Sequence, residues 1–194
     1  MPHRHALEDP TRDGSVTAMS LRLRPFTTDD EVPARDAHLA FAGTGMTFLH
    51  HFDPSMDFSQ WLGNIQDIRD GGPVPVGSVR AAFLAADVDG QLVGRVSVRF
   101  ELNAFLARRG GHIGYAVIAE HRRRGYATQM LELALLEARA RAIDPVLLVC
   151  DDDNVASAKV IERCGGVLES VIDDGEGEGE GEGRLRRYWI HHYD

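Results

Sequence analysis

HIGYAVIAEHRRRGYATQMLELALL, residues 112–136, decides how the rest of the chain is read. Residues 112–119 are mostly apolar and β-prone, whereas Ala127, Met130, Leu131, Ala134, Leu135 and Ala138 recur at helical spacing, so the stretch predicts strand, turn and helix. Gly125 lets the backbone turn tightly, and the helix that opens after it points its unpaired N–H groups at the end of the strand. A corner of this kind binds anions, phosphates above all.

Downstream, Asp144-Pro145 breaks the helix and Val146–Cys150 predicts a further strand. Strand, helix and strand then form a unit whose two strands run parallel, and ligands of such sheets lie beyond the carboxyl ends of the strands. That places the glycine turn beside Asn154, which opens a helix ended by Gly165-Gly166. Val167–Ile172 and Leu185–Tyr193 predict a last hairpin. Between its strands, residues 173–183 alternate Gly and Glu, a composition that can neither bury surface nor resist self-repulsion, and a flexible insertion is expected there.

Upstream, residues 1–20 carry no periodicity and read as a disordered leader, with Met19 an alternative start. The domain is expected over residues 21–194. Leu21–Phe26 predicts a strand, and Thr27-Thr28-Asp29-Asp30 caps a helix running to about Phe41. A second helix is expected over Asp57–Asp70, stopped by Gly71-Gly72-Pro73. Val79–Val88 and Leu92–Leu102 form a hairpin through Asp89-Gly90, a type I′ signal. In its second strand Leu92, Val96, Val98, Phe100 and Leu102 share one face, and Arg95, Ser97, Arg99 and Glu101 share the other, so one face is expected to be core and the other polar.

The motif R-x-x-G-x-A at Arg122–Ala127, followed by DDDNVASAKVIERCGG at residues 151–166, resembles the two cofactor motifs of the GNAT acyltransferase superfamily, in the same order and at a similar separation. The runs GGHIGY and NxASxKVIExxGG resemble a bacterial subgroup of predicted acetyltransferases whose acceptor is unassigned. The resemblance implies an α/β fold: a mixed, mainly antiparallel sheet of about seven strands with a central parallel βαβ pair and about four helices. It implies that backbone N–H groups of Arg123 to Thr128, a stretch holding Arg124, Gly125, Tyr126 and Ala127, take the pyrophosphate of acetyl-CoA, with the arginine side chains from Arg122 onward adding charge nearby. Tyr115, Ala116 and Val117 would pair, strand-like, with the pantetheine amides. The first two helices would flank the acceptor cleft.

Asn154 is open to two readings, a helix cap and a contact to the cofactor arm. Many members of the family carry a tyrosine seven residues after this asparagine, proposed to protonate the departing thiolate; position 161 is Ile, which puts that acid in doubt. Glu101, directly or through water, and His112 are the candidate general bases. The implied reaction is acetyl transfer from acetyl-CoA to a primary amine by direct attack. The alternative is a non-catalytic acyl-CoA-binding regulatory module.

Composition narrows the remaining classes. With 194 residues and 43% hydrophobic content, one domain with a sizeable core is expected. No apolar stretch reaches the ~18–20 residues of a membrane span and no signal-peptide region is evident, so a cytoplasmic protein without a membrane partner is expected. The formal charge of −9 argues against a nucleic-acid partner, although Asp173, Asp174, Glu176, Glu178, Glu180 and Glu182 supply six of the negatives and leave −3 for the rest. The nine histidines and two cysteines show no metal-ligand spacing, and Cys150 and Cys164 read as reduced, buried thiols. A homodimer stays open.

Overall fold

The computed structural model describes residues 20–174 and 183–191. The leader and most of the Gly/Glu insertion lie outside the described residues. Among the described residues seven strands and four α-helices follow in the order β1 (Leu21–Pro25), α1 (Glu31–Ala40), α2 (Phe58–Asp70), β2 (Ala81–Val88), β3 (Gln91–Arg99), β4 (Ile113–Val117), α3 (Tyr126–Ala140), β5 (Val146–Asp151), α4 (Val155–Arg163), β6 (Val167–Asp173) and β7 (Arg184–Ile190).

Local chemistry accounts for most boundaries. Thr27 and Asp30 form the cap that starts a 3-10 turn leading into α1, with the Asp30 carboxylate accepting the Thr27 N–H at 2.8 Å. Asp57 caps α2 by accepting from the Ser59 and Gln60 N–H groups, and Gly71 closes it at φ 109. Asp89 and Gly90 both have positive φ, 52° and 87°, as a type I′ turn demands. Trp61 on α2 is fully buried and donates through Nε1 to the His50 carbonyl at 2.8 Å, which ties the connection between α1 and α2 to the sheet-facing side of α2.

The strands form two antiparallel sheets, β1-β2-β3-β4 and β5-β7-β6. The expected β4–α3–β5 unit is present, but its two strands meet only at their beginnings, where the His112 N–H donates to the Leu147 carbonyl at 2.7 Å and the Leu147 N–H donates to His112 Nδ1 at 2.9 Å. Gly111 makes this approach feasible, since a Cβ at that position would lie 2.5 Å from the Leu147 carbonyl oxygen. Beyond this point no ladder joins β4 and β5, and the sheet is split there.

Two hydrophobic clusters cover the two faces of the first sheet. Val96, Val98 and Ile113 pack with Met130, Leu131 and Ala134 of α3 and with Ala158 and Ile161 of α4. Ala85, Leu92 and Ala116 pack on the other side with Ala34 and Ala37 of α1, Phe58, Trp61 and Ile65 of α2, and Phe48 and Leu49 between those helices. The face of β3 expected to be polar is therefore covered: Arg95 is 5% exposed and Ser97 is 0% exposed. Alternation separates two faces but does not reveal which of them a neighbouring helix pair will cover.

Candidate active site

Between β4 and α3 the chain makes a 3-10 turn, Ala119–His121, and then an exposed loop, Arg122–Gly125. Gly125 sits at the helix N-cap in the left-handed region, φ 80 and ψ 0. A Cβ added there would meet nothing nearer than Gln129 Nε2 at 4.0 Å, so the space outside the glycine is open. Arg123 also has positive φ, 66°. Arg122 Nε donates to the Val117 carbonyl at 3.2 Å and Arg124 Nη2 to the Glu120 carbonyl at 3.3 Å. Two of the three guanidinium groups therefore brace the loop backbone. Among the described residues no backbone acceptor takes the N–H of Arg123, Arg124 or Gly125, and those of Tyr126, Ala127 and Thr128 belong to a first helical turn, which has no acceptor of its own. Tyr126 itself is core, 8% exposed, and anchors the start of α3. The result is a row of six N–H groups at the positive end of a helix.

The second feature is the free edge of β4. The Arg99 N–H donates to the His112 carbonyl and the Ile118 N–H to the Val93 carbonyl, and the register pairs Arg95 with Ala116 and Ser97 with Gly114. By antiparallel alternation His112, Gly114, Ala116 and Ile118 direct their polar backbone groups at β3, while Ile113, Tyr115 and Val117 direct theirs toward the gap before β5. Of the three residues expected to pair with an extended amide chain, Tyr115 has open backbone groups and Val117 an open N–H, its carbonyl taking Arg122 Nε, while those of Ala116 face β3. The open edge ends at the N–H corner, which continues it.

Across the gap stands the first turn of α4. Asn154 caps it, its Oδ1 accepting the Ser157 N–H at 3.0 Å. The cap reading of Asn154 is realised, and the residue is exposed. The Tyr115 hydroxyl lies 2.9 Å from Ser157 Oγ. Burial pushes this phenol up to about 12, against the lowering effect of the Ser157 hydrogen bond. Ile161 is 1% exposed and belongs to the core. Cys150 and Cys164 are free thiols, each pushed up to about 11 by burial.

The two candidate bases differ in situation. Glu101 is exposed and lies two residues past the end of β3. His112 is half-buried, and its Nδ1 accepts the Leu147 N–H. A neutral imidazole that accepts at Nδ1 carries its proton on Nε2, which leaves no free basic nitrogen. Burial and then the charge of Arg99 lower its pKa, so it is neutral at physiological pH. His112 is a staple between β4 and β5.

Sequence reasoning missed the buried basic groups on the other face of the same strands. Arg95 Nη2 donates to the Thr47 carbonyl at 2.7 Å, and Arg99 Nη1 donates to the Gly110 and Gly111 carbonyls at 3.0 Å each. His50 is pulled down to about 2 by burial and by the charges of Arg95 and Arg99. The signal in the sequence was two arginines four positions apart on one face of a strand. A separate hollow of about 580 Å³ between α1 and the Asp89–Leu92 turn is lined by Asp36, Asp89 and Glu120, a setting that repels phosphate. Among the described residues no group of three or more His, Cys, Asp or Glu side chains could hold a metal ion, and no helix is long and apolar enough to cross a membrane.

Residues 49–166 match the model of the acetyltransferase (GNAT) family. A comparison with curated proteins gave no match. Similar solved structures include RimJ of Mycobacterium smegmatis in complex with CoA-disulfide, at TM-score 0.65 and 18% identity over 88% of this chain and 81% of that one. YncA of Salmonella typhimurium, solved with its cofactor acetyl-CoA, matches at TM-score 0.59 and 14% identity over 88% of this chain and 93% of that one. RimL, a ribosomal L7/L12 α-N-protein acetyltransferase, matches at TM-score 0.60 and 18% identity over 88% and 90%.

Proposed function

Since the chain belongs to the acetyltransferase (GNAT) family, we propose that it transfers the acetyl group of acetyl-CoA to a primary amine by direct attack. The observation that carries this reading is the continuity of the open β4 edge, at Tyr115 and Val117, with the N–H row that starts at Arg123. An extended amide chain ending in a pyrophosphate has that shape. Its amides pair with the strand edge, its phosphates take the N–H groups and helix end at Gly125, and the thioester reaches the widening gap opposite Ser157. The family match includes this whole arrangement, residues 112–157.

In the reaction the amine nitrogen attacks the thioester carbonyl, a C–N bond forms, the C–S bond breaks, and CoA leaves as thiolate while the amine gives up one proton. A lysine-like amine has a pKa near ~10.4, so freeing its lone pair at pH 7.5 costs ~4 kcal/mol, whereas a thiol of pKa ~8.5 leaves as thiolate at modest cost. Deprotonation is the harder demand. With His112 Nδ1 engaged by Leu147, Glu101 is our nominee, acting through water. Ile161 offers no polar group, and the hydroxyl at the first turn of α4 is the phenol of Tyr115, beside Ser157. At a pKa of about 12 it would pay ~5 kcal/mol to protonate a thiolate outright, so its role is hydrogen-bond donation to the developing charge.

Acetyl transfer separates this reading from an acyl-CoA-binding regulatory module. Thiol release from acetyl-CoA is measured with a panel of amines, and the product mass is recorded. Amine-dependent release with a product one acetyl group heavier supports transfer. Tight acetyl-CoA binding without release under any amine would leave the regulatory module.

A further inference from the structure

On the face of β3 and β4 turned toward α1 and α2, Arg95 is buried and Arg99 half-buried, and among the described residues neither forms an ion pair with a carboxylate. Arg95 Nε and Nη1 meet no acceptor among the described residues, and neither does His50 Nε2. Arg99 lies on the same face. Gly114 shows how closely these groups gather, because a Cβ built on it would lie 3.1 Å from Ser97 Oγ, 3.4 Å from Arg99 Nη2 and 3.5 Å from Arg95 Nη1. Both guanidinium groups therefore reach one point of β4, immediately beside the open backbone of Tyr115. The charges acting on them are of their own sign: Arg99 acts on Arg95, and Arg95, Arg99, His51 and His38 act on His50.

A buried cation that lacks a counter-charge is a cost to the folded state, and a bound anion removes that cost. We propose that Arg95 and Arg99 hold the carboxylate of the acceptor, so that the substrate is an amine that also bears a carboxylate. This rests on the acetyl-transfer reading above. Arg99 already donates to two carbonyls, so the free donors are mainly those of Arg95, which suits a single negative charge better than the two of a phosphate monoester. Arg95 donates to the carbonyl of Thr47, and residues 42–47 form an exposed stretch, so a carboxylate arriving from that side exchanges a neutral acceptor for a charged one. The same cations disfavour a bound ammonium, which helps present the amine in its neutral, nucleophilic form.

The test compares amino acids with their carboxamides, which keep the amine and lose the charge. With the wild-type protein the carboxylates are expected to show kcat/KM on the order of 10- to 100-fold higher than the amides. Binding is read in parallel by titrating each compound into CoA-loaded protein, so the inference is decided even if no acceptor turns over. Amides that bind or react as well as the acids would overturn it. A phosphate-bearing amine preferred over every amino acid would overturn the assignment to a carboxylate. Arg95→Met is expected to erase the acid-over-amide preference, to keep acetyl-CoA affinity, and to raise the melting temperature, because an unpaired buried charge is removed. A fall in melting temperature with the preference intact would make Arg95 a structural residue and contradict the proposal.

Discussion

The hydroxyl of Tyr115 lies 2.9 Å from Ser157 Oγ, so a side chain from β4 bridges to the first turn of α4 across the place where the two sheets separate. If this phenol donates to the departing thiolate, Tyr115→Phe should lower kcat by roughly 10- to 100-fold, the worth of a hydrogen bond to a charged group, and leave acetyl-CoA affinity near its wild-type value. Single-turnover rates check this. A Tyr115→Phe enzyme with unchanged kcat would exclude the phenol from the chemistry.

His112 accepts the Leu147 N–H and donates its own backbone N–H to the Leu147 carbonyl, the contact that holds the two sheets together at their near end. His112→Ala should cost about 1–3 kcal/mol of stability by leaving the Leu147 N–H without an acceptor. Denaturant melts give that number, and the pH–rate profile of the folded variant should match that of the wild type. Loss of the limb on the acid side of the profile would return His112 to the mechanism.

How far the sequence was legible follows from such details. The Asp89-Gly90 turn, the cap at Thr27–Asp30 and the tight turn at Gly125 were readable because each depends on the chemistry of a few consecutive residues. The separation of β4 from β5 was not, since it depends on strands meeting only at His112 and Leu147, thirty-five positions apart. Arg95 and Arg99 looked like a polar face because alternation in β3 says nothing of the segment, Phe48 and Leu49 with α1 and α2, that covers it. The role of His112 was obscured in the same way, its partner being distant in the chain.

Glu101 is the remaining candidate for proton removal. Glu101→Gln should lower kcat by roughly 10²–10⁴-fold with acetyl-CoA affinity unchanged, the usual range for loss of a general base. Steady-state rates with an identified acceptor across pH 6–9 measure it. Near-full kcat at every pH would leave proton removal to solvent.

Arg24 of β1 donates to two buried carboxylates, Asp30 before α1 and Asp87 of β2. Burial alone would raise both aspartates, but the Arg24 hydrogen bonds, with those of Thr27 and Gly90, outweigh it and hold them below the ordinary carboxylate range. With folded-state values depressed, this stabilisation is fully present above the unfolded pKa of about 4 and is lost as pH falls through the lower folded values. Arg24→Met should cost ~3 kcal/mol at neutral pH by leaving Asp30 without a cation and Asp87 with the exposed Arg22 alone, and should shift acid unfolding to higher pH. Thermal melts from neutral to acid pH test both. Wild-type stability in the variant would show that the pair of ion bonds contributes nothing net.

The corner at Gly125, continued by the open edge of β4, is where we place acetyl-CoA. Gly125 is left-handed with open space beside it, so Gly125→Val introduces backbone strain of about 1–2 kcal/mol and a branched side chain where a pyrophosphate would lie, while the core around Met130 and Leu131 keeps its packing. Titration calorimetry of acetyl-CoA into the folded wild type and variant is the direct measurement, with dephospho-CoA and pantetheine as shorter ligands. Affinity is expected to fall at least about tenfold in the variant, corresponding to removal of one charge-assisted hydrogen bond or more, and to fall much further on going to pantetheine than to dephospho-CoA. Equal acetyl-CoA affinity in the two proteins would contradict this placement.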